Sequence, residues 1–187
     1  LSYDAETVYF AFTERAAGKP AFHSPERRCF HIYSMQTDGS GLRQLTDGQH
    51  DDFDPCELPD GGIAFMSTRR GGFGRCHNPW EPLPSYTLHR MGADGSHLRT
   101  LSFHETNEWH PSVLNDGTIV YTRWDYVDRS AAHFHGLWST NPDGSNRVLV
   151  EGIGISHFDW LDDENILVWL WDLPPRPETD HYYLVQY

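Results

Sequence analysis

The sequence predicts an all-β fold assembled from repeated antiparallel units, and three observations carry that prediction. Trp, Tyr, Phe, Gly, Asp and Pro are abundant while Ala is scarce, a balance that favours strands and tight turns over helices. The words Asp-Gly-Ser and Asp-Gly recur between short apolar runs. Asp-Gly is a strong hairpin signal, because Gly accepts positive φ and Asp bonds its own turn. Finally, no segment shows the periodicity of an amphipathic helix.

Taken in order, the elements repeat about every fifty residues, in four copies. Internal repetition of this kind marks an array of one supersecondary unit. Asp38-Gly39-Ser40, Asp94-Gly95-Ser96 and Asp143-Gly144-Ser145 each follow a strand-like run, at 31–35, 86–91 and 136–140. Each also precedes one, at 42–46, 98–102 and 147–150. A second signature is offset from the first. Asp54-Pro55 leads to Pro59-Asp60-Gly61 and then Ile63-Ala64-Phe65-Met66, and His110-Pro111 leads to Asn115-Asp116-Gly117 and then Ile119-Val120-Tyr121-Thr122. Asp4 before 8–12 is an earlier copy, and Asp159 with Asp162-Asp163 before 166–169 a later one. Four short antiparallel strands joined by such turns make one blade of a β-propeller. The expectation is a single propeller domain of about four four-stranded blades, near 1–49, 50–103, 104–152 and 153–187. A sandwich would not repeat its turn words so faithfully, and a solenoid uses shorter units.

Charge and composition narrow the partners. Formal net charge is −13, with 27 acidic against 14 basic residues, which argues against nucleic acid, since that binding is driven by Lys and Arg neutralising phosphates. The basic residues are mostly Arg, suited to fixed planar contacts. No apolar stretch approaches the ~20 residues of a membrane span, so no span is expected and a soluble chain is. Cys29, Cys56 and Cys76 are too few for a disulfide scaffold, and at most one pair can form. There is no Cys-x-x-Cys-His, so this chain attaches no covalent haem. The first fourteen residues read as strand rather than signal peptide.

The stretches "DGSGLRQLTDG" and "DDFDPCELPDGGIAFMSTRRGG" resemble the WD-like repeat of TolB-type propellers. A further resemblance covers roughly 29–147. "LRQLTDG", "DDFDPCELPDG", "STRRGGFGRCH", "YTLHRM", "LSFHETNEWHPSVLNDG" and "VYTRWDYVDR" together are similar to bacterial proteins related to the alpha subunit of hydrazine synthase. Those proteins are mostly long and exported, and several carry c-type haem domains elsewhere in the chain. The resemblance therefore implies a periplasmic or extracellular location. After Arg147 the likeness shifts: "GISHFDWLDDENILVWLW" and "HYYL" are more like a final blade of oligogalacturonate-lyase-like propellers. Four blades are fewer than such relatives usually have. The chain is then a fragment, a compact ring, or half of a ring completed by a second copy as a homodimer.

Three concentrations of residues suggest chemistry. In "STRRGGFGRCHNP", Arg69, Arg70 and Arg75 offer guanidiniums to a ligand, and 73–85 is a long insertion of the kind that is commonly functional. Cys76 and His77 are adjacent, so an extended backbone points them to opposite faces. A zinc or calcium site there needs help from His104 or His110, because zinc takes three or four ligands. The bland alternative is a buried Cys76 and a His77 bonded to a carbonyl. In "SFHETNEWHPS", His104, Glu105, Glu108 and His110 sit at a blade entry, but the spacing is not that of a helical His-Glu-x-x-His site. Turn-capping by the two glutamates over packed Trp109 and Pro111 is the structural alternative. In "YTRWDYVDRSAAHFH", Arg123, Trp124 and Asp125, with Asp128 and Arg129, suit either an ion-pair network between blades or a platform for a sugar ring. His133 and His135 share a strand face. His157 occupies the equivalent entry position of the last blade, so Asp54, His110 and His157 or Asp159 are expected to converge on an axis.

The functional expectation is an exported binding or scaffold domain. A protein, carbohydrate or small ligand would be held by the blade-top loops 69–77, 104–110 and 123–135. The alternative is a metal-assisted lyase or hydrolase of acidic polysaccharide. There a divalent ion and arginines would neutralise a uronate carboxylate, and a histidine would act as base because Lys19 is the sole lysine.

Overall fold

The computed structural model describes residues 1–14, 27–74, 83–124 and 135–151, and the strands within 155–162, 165–170 and 182–186. Among these residues every regular element is a strand. The first sheet holds β1 (Thr7–Phe12), β2 (His31–Gln36) and β3 (Arg43–Gln44), and the second β4 (Asp52–Glu57), β5 (Ile63–Ser67), β6 (Thr87–Met91) and β7 (Arg99–Thr100). The third holds β8 (Glu108–Val113), β9 (Ile119–Trp124), β10 (His135–Thr140) and β11 (Val148–Glu151), and the fourth β12 (Ile155–Asp162), β13 (Asn165–Leu170) and β14 (Tyr182–Gln186). Each sheet is an antiparallel meander with strands side by side in chain order. The second and third sheets carry four strands, the first and fourth three. Contacts divide the chain into two compact units, Leu1–Asn107 with the first two sheets and Glu108–Tyr187 with the last two.

Turn chemistry sets the register. In six turns an Asp carboxylate accepts the backbone N–H two residues on: Asp4 from Glu6, Asp38 from Ser40, Asp60 from Gly62, Asp94 from Ser96, Asp116 from Thr118 and Asp143 from Ser145, all at 2.8–3.0 Å. These Asx turns replace the ladder bonds that the chain loses as it reverses. The residue after each Asp-Gly-Ser word must then be left-handed, and the three copies solve this differently: Gly41 (φ 67°), His97 (φ 54°) and Asn146 (φ 51°). Gly, Asn and His are among the residues that tolerate this region best. The Asp-Pro and His-Pro words have a structural counterpart as well. Asp54 and His110 both have φ 50°, and each sits where the first strand of its sheet bulges against the second, between Phe53 and Cys56 and between Trp109 and Ser112.

In the first unit the core lies between the two sheets. Ile32 and Leu45 of the first pack on Ile63, Phe65 and Met91 of the second, with Tyr9 and Leu98 at the margin. All five residues of β5 are buried, as expected of a strand flanked on both sides within its sheet and covered on both faces. In the second unit β9 plays the same part, with Ile119, Val120, Tyr121 and Thr122 buried.

Candidate functional site

A meander gives the two ends of each sheet different connections. One end of each of the first three sheets carries the Asp-Gly turns described above. The other end carries the longer connections: 13–30 between β1 and β2, 45–51 between β3 and β4, 68–86 between β5 and β6, 101–107 after β7, and 125–134 between β9 and β10. Arg69, Arg70, Arg75, Cys76, His77, His104 and Asp125 fall in these connections, and Arg123 and Trp124 end the strand that leads into one. Arg75, Cys76, His77 and Asp125 lie outside the described residues, as do Asp128, Arg129 and His133.

In the first unit this end is knitted together around two aspartates. Asp52 opens β4 and is fully buried. Its Oδ1 accepts from Ser67 Oγ at 2.6 Å and Arg69 Nε at 3.0 Å, and its Oδ2 from Arg69 Nη2 at 2.7 Å. A bidentate guanidinium contact of this kind fixes geometry as well as charge. Arg69 also donates to the Asp47 carbonyl, tying the strand end to the incoming connection. His31 Nδ1 stands 3.8 Å from Asp52 Oδ2. Burial, and then the Arg69 charge, hold the His50 imidazole below its ordinary pKa. Next door, Asp51 pairs with Arg27 and accepts the Phe30 N–H at 3.0 Å. Arg70 donates to the Gly71 carbonyl of its own turn at 2.9 Å.

Backbone bonds extend the knit from one connection to the next. Asp51 N donates to Thr68 Oγ1, and Thr68 N returns a bond to the Asp51 carbonyl, both at 3.0 Å. Ser85 N donates to the Gly72 carbonyl at 3.1 Å, and Ser85 Oγ to the Glu105 carbonyl at 2.8 Å. Tyr86 N donates to Asn107 Oδ1 at 3.2 Å. Segments 27–30, 47–52, 68–74, 83–86 and 102–107 thus form one hydrogen-bonded surface. His104 belongs to it, with Nε2 2.8 Å from Thr106 Oγ1.

The second unit has its own version. Glu108 opens β8, is fully buried, and stands directly opposite Arg123 in the register. The Arg123 guanidinium lies 3.9 Å from the Trp138 ring centroid, a cation–π contact. Trp124 is buried, with His135 edge-on at 6.4 Å, and His135 also meets Trp109 edge-on at 5.2 Å. His110 occupies the left-handed bulge position before Pro111. His157 stands in β12 opposite Trp169, beside a register irregularity. Asp54 belongs to the first unit and His110 and His157 to the second; Asp54 and His110 share the same place in their sheets. Among the described residues no three His, Cys, Asp or Glu side chains converge as metal ligands.

Sequence reasoning did not single out Asp52, Ser67, Asp51 or His31. The usable signal for Asp52 was its position two residues before Asp54, matched by Glu108 two residues before His110.

No protein-family model matches the chain, and no curated protein matches it in sequence. Solved structures do match in shape. Hydrazine synthase from Kuenenia stuttgartiensis superposes with TM-score 0.67 at 16% identity, covering 90% of this chain and 28% of that one. Oligogalacturonate lyase from Vibrio parahaemolyticus gives 0.65 at 15%, covering 98% and 49%. A putative TolB from Agrobacterium tumefaciens gives 0.57 at 21%, covering 80% and 48%. The chain therefore spans less than half the length of each of these proteins. Among the described residues no helix is long and apolar enough to cross a membrane. Together the repeated meanders and these likenesses identify an all-β chain of the β-propeller fold.

Proposed function

We propose that this chain is a binding or scaffold domain whose ligand or partner sits on the long-connection end of its sheets. One observation carries the reading. Within each of the first three sheets the Asp-Gly turns fall at one end and the longer connections, braced in the first unit by Asp51 and Asp52, fall at the other. Binding residues concentrate on loops held by a rigid scaffold, and among the described residues of the first unit the long-connection end has loops of that kind. The resemblance to mostly exported proteins supports a periplasmic or extracellular setting, which fractionation of the native host tests.

The experiment is amide exchange with and without bound partner. Protection confined to 27–30, 47–52, 68–74, 83–86 and 101–107 is the expected result, and protection confined to the Asp-Gly turns overturns the reading. The structural likeness to an oligogalacturonate lyase names a substrate to include. Cleavage of oligogalacturonate, dependent on added manganese, calcium or zinc, would replace the binding reading by the lyase one.

A further inference from the structure

The first sheet carries the turn of a strand pair without the pair. In the second sheet Leu58 N donates to the Gly62 carbonyl and Gly61 N to the Leu58 carbonyl, both at 2.8 Å, and this turn joins β4 to β5. In the third, Leu114 N and Gly117 N make the same two bonds, to the Thr118 and Leu114 carbonyls, and join β8 to β9. Residues 2–7 repeat the turn: Ser2 N donates to the Thr7 carbonyl at 2.8 Å and Ala5 N to the Ser2 carbonyl at 2.9 Å. Ala5 is left-handed (φ 60°), as Gly61 and Gly117 are (φ 80° and 85°). Yet β1 is an end strand of its sheet, and among the described residues no strand lies along its other edge.

Register identifies what is open. The bonds from Gln36 N to Ser40, Gly92 N to Ser96 and Asn141 N to Ser145 align the three sheets. Tyr9, Ala11 and Phe12 then match Ala64, Met66 and Ser67, and Val120, Thr122 and Arg123. Opposite these counterparts stand Cys56, Phe53 and Asp52, and Ser112, Trp109 and Glu108. The Glu6 carbonyl accepts the Thr37 N–H at 2.9 Å, so by alternation the N–H and C=O groups of Thr7, Tyr9 and Ala11 point away from β2. Ser2 takes those of Thr7, its Oγ accepting from Thr7 N at 2.8 Å. Those of Tyr9 and Ala11 form an unpaired edge of the kind that accepts a strand. Burial agrees: β5 is buried throughout and β9 except at Arg123, whereas no residue of β1 is fully buried.

We propose that the free edge of β1 binds an extended peptide strand of a partner protein, antiparallel to β1, with the pattern apolar–aromatic–x–Pro. The pattern comes from the counterpart strands, Asp52-Phe53-Asp54-Pro55 and Glu108-Trp109-His110-Pro111. They share an aromatic residue at the place facing Ala11 and a proline that the bulge takes out of the ladder. Their opening carboxylate meets a serine or an arginine across the pair. Phe12 stands there in β1, 49% exposed, and pairs best with an apolar side chain. In a second copy both counterpart strands are already paired within their own sheets, so the strand comes from another protein. The site lies beyond the long connections and does not depend on the reading of them.

The probe is the amidated heptapeptide Thr-Asn-Leu-Trp-His-Pro-Ser, which copies 106–112 with leucine for the glutamate. Titrated into isotope-labelled chain and followed by NMR, it should move the Tyr9 and Ala11 amides, slow their exchange about tenfold, and saturate below about 1 mM. Methylating the peptide's Trp amide, which faces β1, should weaken binding at least about tenfold. Methylating its Leu amide, which faces away as Asp52 N does towards the Phe30 carbonyl, should leave binding intact. No movement of Tyr9 and Ala11 at about 1 mM peptide, or equal loss from both methylations, overturns the proposal. Movement confined to Val120 and Thr122 also overturns it, since that marks displacement of β8. Movement confined to the long connections overturns it and leaves the binding reading above standing. Movement of Tyr9 and Ala11 with chain concentration alone, matched by a dimer in sedimentation, overturns the partner class in favour of a second copy.

Discussion

Gly39 and Gly95 occupy the same place in successive Asp-Gly-Ser turns, and one methyl group should separate them. Their φ values are 86° and 84°. Each N–H donates at 2.9 Å to the carbonyl three residues back, Gln36 or Gly92, and each preceding Asp closes an Asx turn of 2.9 Å. Alanine at either site therefore carries the same backbone strain, about 1–2 kcal/mol for a left-handed L-residue. Reduced freedom of the unfolded chain offsets about 0.4–1 kcal/mol of that. Gly39→Ala is thus expected to cost about 1 kcal/mol, because a Cβ there meets nothing within 4 Å. At Gly95 the added Cβ would lie 2.4 Å from the Leu45 carbonyl oxygen and 3.2 Å from its carbon. Those are backbone atoms of a buried residue packed against Ile63 and Phe65, so the clash is relieved only by moving the first sheet off the second. Overpacking of this kind costs about 1–3 kcal/mol beyond the shared strain.

Urea unfolding followed by circular dichroism measures the difference directly. The midpoint should fall further for Gly95→Ala than for Gly39→Ala, with the slope unchanged. In thermal melts the single shared strain corresponds to a drop of about 2–4 °C for a chain of this size, and the clash adds at least as much again. Equal destabilisation by the two substitutions would show that the turn does not press on Leu45, and would refute the packing described between the two sheets.

Three further outcomes follow from the same structure. Asp52→Ala should destabilise by about 3 kcal/mol, since it strands the partly buried Arg69, whereas Ser67→Ala should cost about 1 kcal/mol for one lost hydrogen bond; chemical denaturation of both variants checks the ratio. His97→Gly should be within about 0.5 kcal/mol of the parent, because Gly41 already fills the equivalent place, while His97→Val should lose about 1–2 kcal/mol to left-handed strain, as read by melting temperature. His89 and His50 are both held below their ordinary pKa, chiefly by burial. The unfolded chain therefore binds their protons first as pH falls, so stability is full above about pH 6.5 and declines below it. Urea midpoints at pH 8 and pH 5.5 should differ in that direction, and the gap should shrink in a His89→Gln, His50→Gln double variant.

The parts of the fold legible beforehand are those set by short-range chemistry. Asp-Gly favours an Asx turn because donor and acceptor lie two residues apart, and five of the six Asp-Gly steps close one, while Asp47-Gly48 lies in the connection between β3 and β4. Alternating apolar runs between those turns then become strands without ambiguity. The candidate site was less legible because its contacts are long-range. Asp52 and Arg69 are seventeen residues apart, and nothing in "STRRGG" says whether a guanidinium faces a ligand or a buried carboxylate. Trp124 shows the same limit: beside Arg123 and Asp125 it reads as a sugar platform or as part of a packed network, and the structure buries it against His135.

The two complete sheets also show what the repeat preserves while its residues change. Asp52 faces Ser67 across the first strand pair of the second sheet, and its arginine comes from two residues further on. In the third sheet the same register positions hold Glu108 and Arg123, so the carboxylate is one methylene longer and an arginine stands across the strand pair in place of Ser67. Both solutions bury a carboxylate completely at the mouth of the first strand. A buried carboxylate is costly without a fixed partner, so its persistence in two different arrangements argues that holding the strand mouth matters more than which residue holds it. In the first unit that mouth is where the connections from both sheets meet. Arg69 of the arginine-rich turn is therefore an anchor for the loops.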